Sequence, residues 1–453
     1  MQRDRSPEAE VEAYLARHPQ TRHVDAFLID LSGNAFGKRL PVSELPKLYA
    51  EGTTMCAAMQ LTDARGTCWD VAGLGFSDGD PDGACRPVPR TLVPVPWAPE
   101  PRAQVLMRFR DSQGALWYEP RTILEGVAAR FKALGLRPVV AVELEFYLID
   151  RERTALGGPQ PPASPVSGRR GAAGHVLGMA QLDEFAAVID AIEDACRVQG
   201  LPVTTVSKEY GSGQFEINLA HLADPMRAAD HAALMRRAVV AVARARGMDA
   251  TFMSKPYADQ SGSGLQINLS LEDEGGGNAF DPARPKAAER LGQVIAGMQA
   301  MLPETMAVFA PSFHAYRRFA PDQFTPVTLD WGENNRSVAF RVPLSDGPGR
   351  RIEHRAAGAE ANPYLVMAAV LAAAHHGLAR GLEPTPVATG NVGAAVDPSL
   401  PLTLWSALDA MERATVLPEY FSARYVEAYV QAKRAEFDAF MAEILPREHE
   451  WYL

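Results

Sequence analysis

Apolar residues crowd the chain from Val24 to Leu31 and stop at Ser32-Gly33-Asn34, which predicts a strand closed by a turn. Further on, Leu124, Val127, Ala128, Phe131 and Leu134 recur at helical spacing. Glu119-Pro120 opens that helix and Gly135 stops it. Pro138 to Ile149 reads as a strand, and Leu182 to about Gln199 as a second amphipathic helix ended by Gly200-Leu201-Pro202. Helices and strands alternate as far as about Arg355, and the last hundred residues, from Asn362-Pro363, read as mostly helical. Between them, Gly73 to Pro99 reads as a surface excursion near a domain boundary and Gly157 to Gly174 as a Gly/Pro/Ser/Ala loop. The first dozen residues are charged and read as frayed. There is no internal repeat and no long low-complexity tract.

Alternation carries more information than the apolar runs themselves. Strand side chains point to opposite faces in turn. In Val139-Val-Ala-Val-Glu-Leu-Glu-Phe-Tyr-Leu-Ile149, Glu143 and Glu145 share one face with Ala141 and Tyr147, while Val140, Val142, Leu144, Phe146 and Leu148 share the other. Taken alone, this is a half-exposed strand with two solvated glutamates. The pattern recurs, however. Gln214, Glu216 and Asn218 alternate with Phe215, Ile217 and Leu219; Gln266 and Asn268 alternate with Leu265, Ile267 and Leu269; Arg351, Glu353 and Arg355 share a face. Glu209 precedes Glu216 across Gly211-Ser-Gly213. Four strands with carboxylates, amides or guanidiniums on one side describe a pocket if they lie in one sheet.

Composition narrows the function. With 45 Lys and Arg against 55 Asp and Glu, the net charge of −10 argues against a nucleic-acid partner, which needs a basic surface. The best apolar stretch, Tyr364 to Ala374, is about half of the roughly 20 residues of a membrane span. The N-terminus lacks the apolar core of a signal peptide. Cys56, Cys68, Cys85 and Cys196 form no C-x-x-C pair, which argues against structural zinc and a disulfide framework. A cytoplasmic enzyme is expected. Mg²⁺ and Mn²⁺ prefer oxygen ligands, and Glu143, Glu145, Glu209, Glu216 and Glu353 are enough for two or more ions. Arg318, Arg336, Arg341, Arg351 and Arg355 are candidates to neutralise phosphate. A glycosidase carboxylate pair explains neither the arginines nor the number of acids. Gly33-x-x-x-Gly37-Lys38-Arg39 is one residue short of a phosphate loop and has Arg where Ser or Thr should follow.

At these residues the chain resembles the glutamine synthetase family, in its type I-like branch. The motifs are Val142-Glu-Leu-Glu-Phe146, Glu209-Tyr-Gly-Ser-Gly-Gln-Phe-Glu216, Lys255-Pro256 with Gly262-Ser-Gly264, Asn335-Arg-Ser337, and Arg351-Ile-Glu-His-Arg355 with Asn362-Pro-Tyr364. The charged start is expected to be a disordered tail (1–18); the resemblance implies an α+β fold after it, with a small N-terminal β-grasp-like domain (19–112) and a catalytic domain (113–453) whose curved antiparallel sheet is flanked by helices. It implies a homo-oligomer, a dodecamer of two stacked hexameric rings, with each site completed by a neighbour's N-terminal domain. By motif, Glu145, Glu209 and Glu216 match the ligands of one metal, and Glu143, Gln266 and Glu353 stand where the second is held. Gly262, Arg318 and Arg355 match glutamate-binding positions. Asn268, Ser270, Arg336, Arg341 and Arg351 match positions facing ATP. The resemblance gives catalytic roles to Arg336, Glu209 and a neighbour's Asp63. It implies that ATP activates the glutamate γ-carboxylate as an acyl phosphate, which an amine then attacks.

The departures are local. Gln266 and Asn268 replace two histidines of the family, and Ser261 replaces an asparagine that holds glutamate. Phe324 occupies the flap position of a glutamate that closes over ammonia, and Val176 or Leu177 aligns with the ammonium-site tyrosine. Gly393 lies where some bacterial members carry an adenylylated tyrosine. The losses lie on the acceptor side, while the phosphate arginines and most metal carboxylates remain. Such a site points to a larger amine. Segments such as Trp331-Gly-x-x-Asn-Arg336 and Thr91-Leu-Val-Pro-Val-Pro-Trp97 resemble members that γ-glutamylate polyamines and other primary amines. The alternatives are a non-catalytic or regulatory homologue, favoured by Gln266, and an ordinary ammonia-using glutamine synthetase.

Overall fold

A computed structural model describes residues 6–112, 114–155 and 157–453. The expectation of a disordered tail over 1–18 fails for most of that stretch. Pro7–Arg17 is a helix, capped by Ser6, whose side chain accepts from the Ala9 amide. Val11 and Tyr14, three residues apart, are its buried positions, so the charged residues that suggested fraying occupy its outer face.

Seven strands build the first sheet: β1 (His23–Ile29), β2 (Ala35–Pro41), β3 (Thr53–Cys56), β4 (Asp82–Pro87), β5 (Val93–Pro94), β6 (Arg102–Asp111) and β7 (Gly114–Ala115). The main order is β2-β1-β6-β4-β3, with β1 and β6 parallel. The Gly73–Pro99 segment is therefore not only a surface excursion, because its residues 82–87 pair with both β3 and β6. The phosphate-loop near-motif is a hairpin. Asn34 N donates to Asp30 Oδ1 at 2.7 Å, β2 follows directly, and no helix N-terminus is offered to an anion.

The second sheet has eight strands: β8 (Leu136–Ile149), β9 (Val203–Lys208), β10 (Gln214–Leu219), β11 (Asp249–Thr251), β12 (Leu265–Asp273), β13 (Trp331–Glu333), β14 (Phe340–Val342) and β15 (Ile352–His354). Its order is β13-β14-β15-β12-β8-β10-β9, with β11 also against β8. All its pairs are antiparallel except β13 with β14. Val140, Val142, Leu144, Phe146 and Leu148 are fully buried on one face of β8, and the even-numbered polar positions of β10 and β12 lie on the other.

Helices cover the apolar face. Pro225–Ala245, Ala287–Phe309 and Pro363–Arg380 bury most of their lengths, and the Tyr364–Ala374 run lies wholly inside. Among the described residues no helix is long and apolar enough to cross a membrane. The expected Leu182–Gln199 helix is split at Phe185, leaving Met179–Asp183 and Ala186–Val198. Asn362 caps Pro363–Arg380 by accepting from the Tyr364 and Leu365 amides, and its Nδ2 donates to the Asp30 carbonyl at 2.7 Å. Tyr364 Oη donates to Asp230, which also pairs with Arg121. The Asn362-Pro-Tyr364 motif thus ties a core helix to the first sheet.

Candidate active site

Register decides which polar side chains meet. Glu145 stands opposite Glu216, and Glu143 stands opposite Asn218 on one side and Gln266 on the other. Asn268 stands opposite Glu353, which in turn faces Arg341. Side chains directly across neighbouring strands are about 5 Å apart at Cβ. The four motif segments therefore form one continuous band across β14, β15, β12, β8 and β10. Glu209 joins it from the β9–β10 turn, where its amide donates to the Gln214 carbonyl at 3.0 Å.

The band has two electrostatic halves. Glu145, Glu209 and Glu216 form the acidic one. Burial, followed by mutual repulsion, lifts the Glu145 and Glu216 carboxyls well above the usual carboxylate range. Burial also raises Glu209, opposed chiefly by the charge of Lys208. The hydrogen bonds to Glu145 are neutral: Gly264 N at 2.9 Å, Gln214 Nε2 at 3.3 Å and Gln266 Nε2 at 3.4 Å. Oxygen-rich, underneutralised and buried, this set fits a hard divalent cation.

The second half is already neutralised. Glu353, 2% exposed, pairs with Arg341 at 2.7 Å and with Arg355. Arg355 NH1 also donates to Gln266 Oε1 at 3.2 Å. Glu143 accepts from Asn268 Nδ2 at 2.7 Å, and Asn268 Oδ1 accepts from Arg351 Nε at 2.8 Å. Burial, then the charge of Glu353, raises Glu143. Two carboxylates and an amide oxygen suit a cation chemically, but a second ion here has to compete with two guanidiniums. Among the described residues no three His, Cys, Asp or Glu side chains already form a metal-holding group.

The anion side is built from buried arginines. The Nε atoms of Arg318, Arg341 and Arg355 are buried without a partner among the described residues, which leaves donors free for an anionic ligand. Arg318 lies under the Gly262–Gly264 loop and donates to the Ala356 carbonyl at 3.2 Å. Burial lowers its pKa to about 10. Gly262 is required by this close approach, because a Cβ there would stand 2.6 Å from Arg318 Cγ and 2.9 Å from the Ser254 carbonyl oxygen. If Arg318 holds an anionic substrate, Gly262→Ala is expected to raise the KM for that substrate about tenfold or more with a smaller change in kcat, measured by initial rates. An unchanged KM would separate the loop from that substrate.

Three expected residues lie toward the edges and a fourth lies apart. Ser270 is on β12, two positions beyond Asn268 on the same face. Arg336 is exposed after β13, and its charge reaches Glu209. Phe324 is 73% exposed, and its carbonyl accepts from Arg355 NH2 at 3.4 Å. Asp63 is not brought to this band. Its carboxylate is held in its own turn by the Arg65 and Thr67 amides at 2.8 and 2.9 Å and by Trp69 Nε1 at 3.1 Å.

Two further residues emerge only in three dimensions. Gln214 Oε1 accepts from Gly211 N at 2.9 Å, while its Nε2 reaches Glu145, the Gly262 carbonyl at 3.0 Å and Ser263. It locks the glutamate turn to the glycine loop. Tyr147 Oη donates to the Ser261 carbonyl at 2.7 Å and fastens the other end of that loop. The polar alternation of β8 and β10 contained both residues, but not their partners.

The fold and this band define a class: a sheet-floored centre of buried carboxylates and guanidiniums, suited to a divalent cation and a phosphate-bearing substrate. The chain belongs to the glutamine synthetase family. Residues 117–452 match the family described as glutamine synthetase, catalytic domain. The chain is 39% identical over 445 residues to the gamma-glutamylputrescine synthetase PuuA of Escherichia coli (strain K12), covering 98% of this chain and 94% of that protein. It is 33% identical to a glutamate–isopropylamine ligase of a Pseudomonas species, over 81% of this chain and 82% of the relative. A solved structure of ligand-free GmaS superposes with a TM-score of 0.81 at 26% identity, covering 97% of this chain and 98% of that one.

Proposed function

We propose that the protein is a cytoplasmic, ATP-dependent carbon–nitrogen ligase that joins the γ-carboxylate of glutamate to a primary amine. The observation that carries this reading is the single band of Glu143, Glu145, Glu209, Glu216 and Glu353 with Arg318, Arg341, Arg351 and Arg355. It supplies the two things that activation of a carboxylate needs. Guanidiniums hold anions, and a divalent cation bound by Glu145, Glu209 and Glu216 supplies further neutralisation of phosphate charge. The second cation position is Glu143, Gln266 and Glu353, in competition with Arg341 and Arg355.

Carboxylates are poor electrophiles, and phosphorylation gives the γ-carbonyl a good leaving group. In this reading Arg318 and Arg355 orient the amino acid beside Gly262. Asn268, Ser270, Arg341 and Arg351 line the nucleotide side. Arg336 faces the transferring phosphoryl group, where a positive charge is most effective in the transition state. The amine attacks in its neutral form, and a carboxylate takes its proton; Glu209 and a neighbouring subunit's Asp63 are the candidates. The chain divides into an N-terminal unit over 19–112 and a catalytic unit over 113–453. The assembly is a dodecamer of two stacked hexameric rings.

Ligases for putrescine and isopropylamine among the relatives support an organic amine over ammonia. The experiment is phosphate release with ATP, glutamate and Mg²⁺ or Mn²⁺ across a panel of polyamines, alkylamines and ammonia. At least one organic amine is expected to exceed ammonia in kcat/KM by about a hundredfold. Ammonia as the best acceptor would indicate an ordinary glutamine synthetase. Nucleotide binding without turnover on any amine or alternative acid would indicate a regulatory homologue.

A further inference from the structure

Lys208 ends β9 opposite Phe215, on the apolar side of the sheet, and is 3% exposed. A buried ammonium is costly unless its hydrogens are satisfied. Its partners are two carbonyls of the following turn: Glu209 O, and Gly211 O at 2.7 Å. One side chain thereby spans the turn that carries Glu209. The segment 171–178 hangs on the same turn by three bonds. Leu177 N donates to Lys208 O at 2.9 Å, Gly174 N to Tyr210 O at 2.7 Å, and Ser212 Oγ to Gly171 O at 2.5 Å. His175 and Leu177 have φ of +57° and +59°, so this path is strained for side-chain-bearing residues and needs those tethers.

We infer that Lys208 is a positioning residue that sets the Glu209 carboxylate for the cation and fixes the turn to which the 171–178 segment is tethered. The inference rests on the cation role proposed for Glu209. The geometry gives the ammonium a task that an apolar side chain of equal length cannot perform. Met keeps the packing against Phe215 but leaves the Glu209 carbonyl without a donor and the Gly211 carbonyl with the Gln214 amide alone. Arg retains charge and donors on that stem.

The test uses full-length protein and Mn²⁺ alone, with affinity read by equilibrium binding and amide protection by hydrogen exchange. Lys208→Met is expected to weaken Mn²⁺ binding about 10- to 100-fold, the range for a group that orients a ligand. It is also expected to lower protection at Gly174 and Leu177. Lys208→Arg should recover at least part of both. Glu209→Gln should lose the Mn²⁺ affinity while keeping the protection. Wild-type affinity and protection in Lys208→Met would overturn the inference. If that variant does not fold, Lys208→Gln is read in its place, with one donor retained. If the wild type takes up no Mn²⁺, the cation reading of Glu209 fails by itself, and the protection at Gly174 and Leu177 then decides the role of Lys208.

Discussion

Replacing Glu353 by alanine abolishes ligase turnover, with a loss in kcat of about 10³-fold or more. The residue lies between Arg341 and Arg355 and pairs with both. Without it, two buried guanidiniums face one another with Asn334, Gln266 and the Phe324 carbonyl as their remaining partners. Breaking a buried pair from one side costs about 3–5 kcal/mol, because it strands the other charge. An equal loss of transition-state stabilisation corresponds to two to four powers of ten in rate. The two effects separate experimentally. Phosphate release at saturating ATP and glutamate reads turnover, and thermal unfolding with sedimentation reads fold and assembly. Glu353→Gln keeps the volume and should remain assembled while still losing activity. Turnover near wild type in that variant would remove Glu353 from the reacting site.

Glu216→Gln shifts stability in the opposite direction. In the metal-free protein at pH 8, this substitution is expected to raise the melting temperature by about 2 °C or more. Burial, then the charges of Glu145, Glu143 and Glu209, hold the Glu216 carboxyl far above its ordinary range. The sign follows from linkage. Between the ordinary carboxylate range and the raised native value, the native state binds more protons than the unfolded one. Stability of the metal-free protein therefore falls as pH rises through that window. Neutral glutamine removes the part of that slope that Glu216 contributes. It also removes a proposed cation ligand, so any added stability that the wild type gains from Mg²⁺ or Mn²⁺ should largely disappear. Thermal unfolding from pH 5 to 9, with and without metal, tests both statements. A variant that is less stable without metal, or still fully stabilised by it, would contradict the assignment.

How much was legible before the fold depended on the kind of residue. Strand faces were legible because alternation has a fixed period of two, so Glu143, Glu145, Glu216 and Glu353 are all found on the polar face. Gly262 was marked by the family motif alone, and the reason for a glycine there is the contact with Arg318. The helix Pro7–Arg17 was obscured by its charged outer face, since its burial rests on Val11 and Tyr14 alone. Pairing of 82–87 with β3 and β6 was hidden among turn residues.

By itself the sequence determined the chemical inventory: which carboxylates, amides and guanidiniums occur, and which share a strand face. Those properties are local, because backbone geometry sets the alternation of side chains. Only the tertiary structure decided that Gln266 accepts from Arg355, that Glu353 bridges two arginines, and that Lys208 spans the glutamate turn. These contacts depend on strand register and on which side chain wins a shared partner. Both are set by packing between segments distant in the chain, and no local period encodes that packing.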